Sequence, residues 1–210
     1  MTDVKRPRSK RREKAAATRE RMLRAAIEVF AEEGYVGARM ADIAARAGVA
    51  VQTLYFVFHT KPELLQQCFD YAVLGPDRLI PPEQPLMRGV PRARSGRAAL
   101  RAFVAGNTEI LERIATTDEV ARAAMHEQEA AAVVEANQQL RRQGYREILE
   151  TIAERFPLRP GLELDGATDV LLMYGSSATY LAMIRCGWSR DRFEEWLTDT
   201  LARTLLARHQ

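Results

Sequence analysis

The sequence predicts an all-α protein in two parts, an N-terminal three-helix domain built around a helix-turn-helix and a larger helical domain after it. Three observations predict this. Met40, Ile43, Ala44 and Ala47 recur at i, i+3, i+4 and i+7, the stripe of an amphipathic helix packed on a small core. Gly48 follows at once and is free to take a positive φ at a tight turn. No stretch alternates apolar and polar residues as a half-buried strand would.

The elements follow in chain order. Residues 1–14 contain the run KRPRSKRREK, too polar to bury, and are expected to form a disordered basic arm. Such an arm is either a solubilising tail or a device that neutralises phosphates or enters a minor groove. Residues 15–61 make the first domain: a long basic helix, a glycine turn, and two short helices around Gly48. In the second short helix Leu54 and Phe58 give the buried edge, and helical geometry turns Gln52, Thr53, Tyr55 and Phe56 away from it. An exposed aromatic pair beside a glutamine and a threonine suits a surface that meets phosphates, sugars and thymine methyls, with the helix lying in a DNA major groove. Thr60, Pro62 and Glu63 read as the next helix start, with Thr60 as N-cap, proline in the first turn and Glu63 completing a capping box. Lys61 stands at that N-terminus, where its ammonium and free backbone N–H groups can hold a phosphate; His59 points at phosphate or solvent beside it.

Charge is divided along the chain. Residues 1–61 hold 13 Lys and Arg against 7 Asp and Glu, whereas residues 62–210 hold 18 against 21. The positive field is therefore confined to the end that carries the helix-turn-helix, as contact with a polyanion requires.

Residues 19–65 resemble the N-terminal DNA-binding domain of the TetR family of transcriptional regulators. The resemblance rests on Ile27, Phe30, Gly34, Tyr35, Asp42, Ile43, Ala44, Ala47, Gly48, Val49, Thr53, Leu54, Tyr55, Phe58, Lys61, Leu64 and Leu65, in that order. The chain departs from the family pattern at Met40, where a hydroxyl residue commonly caps the second helix, and at Ala50, where serine is common; each lost cap costs about 1 kcal/mol. The resemblance implies a DNA-binding set of Arg39, Gln52, Thr53, Tyr55, Phe56, His59 and Lys61, with double-stranded DNA as partner. Ala41 stands where some relatives carry a base-reading side chain, so the first short helix is expected to add little to sequence choice.

Residues 62–210 are expected to form a helical effector-binding and dimerisation domain. A connecting helix over 61–75 ends at Gly75-Pro76, and the prolines of 76–94 predict a loop without regular structure. Helices are predicted at about 95–116, 118–127, 129–155, 165–187 and 189–208, separated by a Thr116-Thr117-Asp118 cap, the PLRPG break and Gly187. In the last of them Phe193, Trp196, Leu197, Thr200, Leu201, Thr204 and Leu205 form a seam longer than one helix of the same domain need cover, while Leu171, Gly175, Ala178 and Ala182 permit close helix approach. A homodimer is expected, built as a four-helix bundle through Leu171, Ala178, Ala182, Phe193, Trp196, Leu197, Leu201 and Leu205. The alternative is an ordinary intrachain core. Phe103, Asn107, Ile110, Asn137, Tyr145, Tyr174 and Ser177 mix apolar surface with polar groups on inward faces, the makeup of a small-molecule effector pocket, although each is also compatible with packing.

Other functions are disfavoured by residue content. The three histidines lie in different segments, and neither metal-ligand spacing, nucleophile elbow nor glycine-rich phosphate loop appears, so no catalytic residue, metal or cofactor is expected. No apolar run approaches the ~18 residues of a membrane span, and the N-terminus lacks the apolar stretch of a signal peptide, so a cytoplasmic location without membrane contact is expected. Cys68 and Cys186, far apart, read as small buried hydrophobes. The leading expectation is a ligand-responsive repressor that binds an inverted repeat as a dimer; a regulator controlled by a protein partner comes next, and a helical enzyme is the remote third.

Overall fold

The computed structural model describes residues 7–75 and 78–207, which form nine α-helices and two short 3-10 turns. The first helix, α1 (Pro7–Gly37), runs through half of the segment expected to be a disordered arm; residues 7–14 are helical, and residues 1–6 lie outside the described residues. Proline at its first position loses nothing, because that N–H would have no helical partner. Gly34 breaks α1 near its end with φ 70° and ψ 169°, a conformation open in practice only to glycine, and thereby turns the chain toward α2.

α2 (Met40–Ala47) and α3 (Val51–Phe58) meet at 106°, within the range of a helix-turn-helix. Gly48 sits between them at φ 65° and donates to the carbonyls of Ala44 and Ala45, closing α2 with a left-handed cap. The N-cap of α2 is Arg39, one residue before Met40, and that of α3 is Ala50; neither helix start has a side-chain cap. α4 (Lys61–Leu74) begins on Thr60, whose hydroxyl accepts from the Glu63 N–H at 3.3 Å. The domain is tied by a bidentate Arg46–Glu32 pair between α2 and α1, 2.6 Å on each arm, and by Tyr71 of α4 donating to Glu20 of α1 at 3.0 Å.

The stretch after α4 is partly ordered into 3-10 turns at Pro81–Glu83 and Met87–Arg92, where the expected loop had no regular structure. The buried Gln84 side chain organises it, donating to the carbonyls of Val73 at 2.8 Å and Leu79 at 3.1 Å. Arg113 adds a bond to the Ala72 carbonyl at 2.7 Å, so the free C-terminal carbonyls of α4 are held by side chains from elsewhere.

The second domain packs around α5 (Gly96–Ala123), followed by α6 (Gln128–Ala153), α7 (Leu164–Tyr174), α8 (Ser177–Arg185) and α9 (Arg190–Leu205). Two boundaries differ from the sequence expectation. Thr116-Thr117-Asp118 does not cap a new helix, because Thr117 and Asp118 are buried and Asp118 is used in tertiary contacts, so α5 runs on unbroken. The single helix expected over 165–187 is instead interrupted at Gly175, where Ser176 caps α8 by accepting from the Thr179 N–H at 3.1 Å.

The seam on α9 is also corrected. Phe193, Leu197 and Leu201, with Leu205, are fully buried within the chain, as is Leu171. They belong to the same core as Leu100, Phe103, Val104 and Leu111 of α5. At 28 residues, α5 is long enough to cover all 16 residues of α9, which removes the reason to require a second copy on that face. Trp196 is partly buried in a cluster with Trp188, Phe193 and Tyr174, while Ala178 and Ala182 are exposed on α8.

The two domains share packing. Ala121 and Ala124, at the end of α5, and Ala130, Val133 and Val134, in the first turns of α6, lie in the same apolar cluster as Leu23, Phe30, Ile43 and Leu54 of the first domain. Cys68 is buried in this cluster; Cys186, contrary to expectation, is exposed. Among the described residues no single helix is long and apolar enough to cross a membrane.

Candidate DNA-reading face and effector cavity

On α3, Leu54 and Phe58 face the core, as a four-residue spacing dictates. The opposite side carries Gln52, Thr53, Tyr55 and Phe56, all exposed, with Phe56 81% accessible. With Tyr55 48% accessible beside it, Phe56 gives this eight-residue helix a small exposed aromatic patch. Arg39 and His59 are exposed at the ends of α2 and α3. The sequence-derived set thus shares one end of the molecule, with one difference.

Lys61 is half-buried. Its ammonium donates to the Val36 carbonyl at 3.2 Å and lies 4.6 Å from the centre of the Tyr35 ring. Burial pulls its pKa below the ordinary lysine value, against the carboxylates of Glu127 and Glu129 on the approach to α6. The Tyr35 phenol is pushed up to about 12, first by burial and then by the same two carboxylates. Lys61 and Tyr35 therefore join the glycine-kinked end of α1, the start of α4 and the start of α6.

In the second domain a cavity of about 480 Å³ opens between α4, the 3-10 turns, α5 and α6. The volume is that of a site for a small organic molecule. Phe69, Val73, Met87, Phe103, Ile110 and Val134 supply an apolar wall, and Leu140 and Ile80, both lining residues, are 63% and 53% exposed at its mouth.

Polar groups occur in three places. In the first, the Gly175 carbonyl, released by the break between α7 and α8, accepts from the Asn107 amide at 3.2 Å, and the Tyr145 hydroxyl stands 2.7 Å from both that carbonyl and Asn107 Oδ1. Burial pushes the Tyr145 phenol up to about 12, and its ring meets Phe103 edge-on at 5.4 Å. In the second, Asp118 accepts from the Ser177 hydroxyl and pairs with Arg122 at 2.7 Å. In the third, the Asn137 amide donates to Gln66 of α4 at 2.9 Å, and Gln66 donates to Asp70 at 2.9 Å.

Phe103, Asn107, Ile110, Asn137, Tyr145 and Ser177 all line this cavity. Tyr174 does not: it directly precedes the break at Gly175 and packs edge-on against Trp196 at 6.1 Å. Sequence reasoning missed Asp118, taken for a cap, and Arg141, although Arg141 lies one turn from both Asn137 and Tyr145 on the same face of α6. His126 is exposed, 3.6 Å from Glu127, and His209 lies outside the described residues.

Residues 22–68 match a family profile described as bacterial regulatory proteins, tetR family. Comparison with curated proteins gives no sequence match. Among solved structures, the fold is similar to that of NalD from Pseudomonas aeruginosa, the secondary repressor of the MexAB-OprM multidrug efflux pump, at a TM-score of 0.66 and 20% identity over 93% of this chain and 100% of that one. The fatty acid degradation regulator FadR from Bacillus halodurans gives 0.65 at 21% identity, covering 87% and 93%. A TetR-like transcriptional regulator from Rhodococcus sp. RHA1 gives 0.59 at 20% identity, covering 90% and 95%. These likenesses establish a common fold over nearly the whole chain.

Proposed function

We propose that this chain, whose residues 22–68 carry the N-terminal domain of the tetR family of bacterial regulatory proteins, is a transcriptional repressor that binds an inverted-repeat operator as a dimer and is released by a small apolar ligand. The observation that carries the reading is the open face of α3. Gln52 and Thr53 can reach base edges, and Tyr55 and Phe56 can meet sugars and thymine methyls. Arg39, His59 and the remaining hydrogens of the Lys61 ammonium flank it for phosphate.

A dyad brings two such faces to one side of a duplex, and two identical readers require half-sites in inverted repeat. With the α9 seam used internally, the pairing surface we assign is the outward side of α8 with the free flank of α9. Ala178 and Ala182 there are exposed and small, Met173 at the adjoining end of α7 is 68% exposed, and Trp196 is only partly covered. That NalD is a repressor and FadR a fatty acid degradation regulator supports the assignment to transcription.

Ligand coupling is supported by the Asn137–Gln66 bond, which joins the cavity wall on α6 to α4, the helix that follows α3. A ligand that favours a different spacing between α6 and α4 would alter the separation of the two reading helices, and only such differential binding shifts the equilibrium. The test has two parts. Selection from random duplexes with the full chain should return a palindromic site, and a thermal-shift screen with apolar metabolites and drugs should return a compound that raises Tm and releases that site. Recovery of no sequence removes the DNA-binding assignment. A DNA-binding protein stabilised by no compound is one governed by a protein partner.

A further inference from the structure

The α6 face toward the cavity holds one cation with a buried nitrogen left unpaired among the described residues. Arg141 lines the cavity, and its Nε is buried without a hydrogen-bond partner among the described residues. A buried unsatisfied donor on a charged group is costly, more so than a neutral one. The other arginines nearby are engaged: Arg142 with Asp169, Arg146 with Asp165, Arg122 with Asp118, and Arg113 with the Ala72 carbonyl. The acidic groups that line the cavity also have partners of their own. Asp118 is held by Arg122 and Ser177, Asp70 accepts from Gln66, and Glu147 accepts from Gln143 at 3.0 Å.

Arg141 stands one turn from Asn137 and one turn from Tyr145, and its charge is felt at the Tyr145 phenol. A donor fork thus lies beside an amide and a phenol, above an apolar wall formed by Phe69, Val73, Met87 and Phe103. We propose that the cavity takes an amphipathic carboxylate, its acid group held by Arg141 and its hydrocarbon part laid against that apolar wall. The guanidinium fork matches a planar carboxylate in two parallel bonds, and a low-dielectric wall strengthens the pair. Because Arg141 and Asn137 share one face of α6, an acid bound at Arg141 lies next to the Asn137–Gln66 bond to α4. The proposal rests on this cavity being the effector site.

Calorimetry on the full-length protein with decanoate, decanol and decyltrimethylammonium, three amphiphiles alike in tail and different in head, tests it. Decanoate is expected to bind at least about tenfold more tightly than decanol, with the preference abolished in Arg141→Met and reduced but present in Arg141→Lys, which keeps the charge without the fork, while decanol binds the wild type and Arg141→Met alike. Equal binding of decanol and decanoate, or preference for the cationic amphiphile, overturns the carboxylate and leaves the cavity as an effector site. Binding of none of the three overturns the cavity as an effector site as well. The wild-type comparison decides the matter even should Arg141→Met fail to fold.

Discussion

Lys61 holds its ammonium 4.6 Å above the Tyr35 ring while donating to the next residue's carbonyl, that of Val36, at 3.2 Å. One of its three hydrogens is thereby committed, and two remain for a phosphate. Lys61→Met is expected to lower stability by about 1 kcal/mol in urea unfolding, from the lost cation–π contact, and to reduce the slope of log affinity against log salt by about one. An unchanged slope with the stability loss present would make the residue purely structural.

Replacement of Gln52 by alanine should change preference at one base pair of the selected site by about 1 to 3 kcal/mol, read by competition gel shifts against single-base variants. Tyr55→Phe should instead weaken all duplexes alike, because a phenol at the groove edge meets the backbone. A uniform loss in the glutamine variant would move the reading function to another side chain.

Much of this face could be read from residue spacing alone. Leu54 and Phe58 lie four apart, and that fixes which side of α3 is open; Thr60 and Glu63 carry their capping chemistry locally. The failures have a common cause. Thr117 and Asp118 look like a cap until the burial of α5 against α8 is known, and the α9 seam looks unpartnered until the length of α5 supplies the partner. The cavity lining was legible as inward polar groups on apolar helices, except at Tyr174, which packs against Trp196 beside the Gly175 break, and at Arg141, which a search for neutral polar groups on inward faces passes over.

The alkaline limit of stability follows from two phenols. Tyr35 and Tyr145, pushed up to about 12 in the folded chain, ionise near 10 when unfolded. The fold thus favours the neutral form, and this contribution is complete below pH about 10 and is lost as pH rises through about 12. Phenolate absorbance of the native protein should show Tyr35 and Tyr145 titrating above the ordinary phenol range, and Tyr145→Phe should remove one late step. Titration of both phenols near 10 would contradict the burial.

At Gly34, φ 70° and ψ 169° admit glycine and almost nothing else, and a methyl there meets no neighbour within 4 Å. Gly34→Ala is therefore a test of backbone strain alone, with an expected loss of about 1 to 3 kcal/mol in urea unfolding. A neutral result would mean that the end of α1 relaxes into another path.

Ala182→Arg places a long cation on the exposed side of α8 without touching the core. Sedimentation should then give a 23.7 kDa species where the wild type gives twice that mass, with Tm lowered through mass action alone. A wild type that sediments as a monomer at micromolar concentration would refute the pairing.

The alanines and valines that α5 and α6 lend to the N-terminal cluster set the unit in which this molecule can be reengineered. A headpiece excised after α4 would leave behind the side chains that close its underside, and would offer a bare apolar sole to water and to other chains. Hybrid regulators assembled from it must transplant Ala121, Ala124, Ala130, Val133 and Val134 along with the reader, or supply equivalents of the same size.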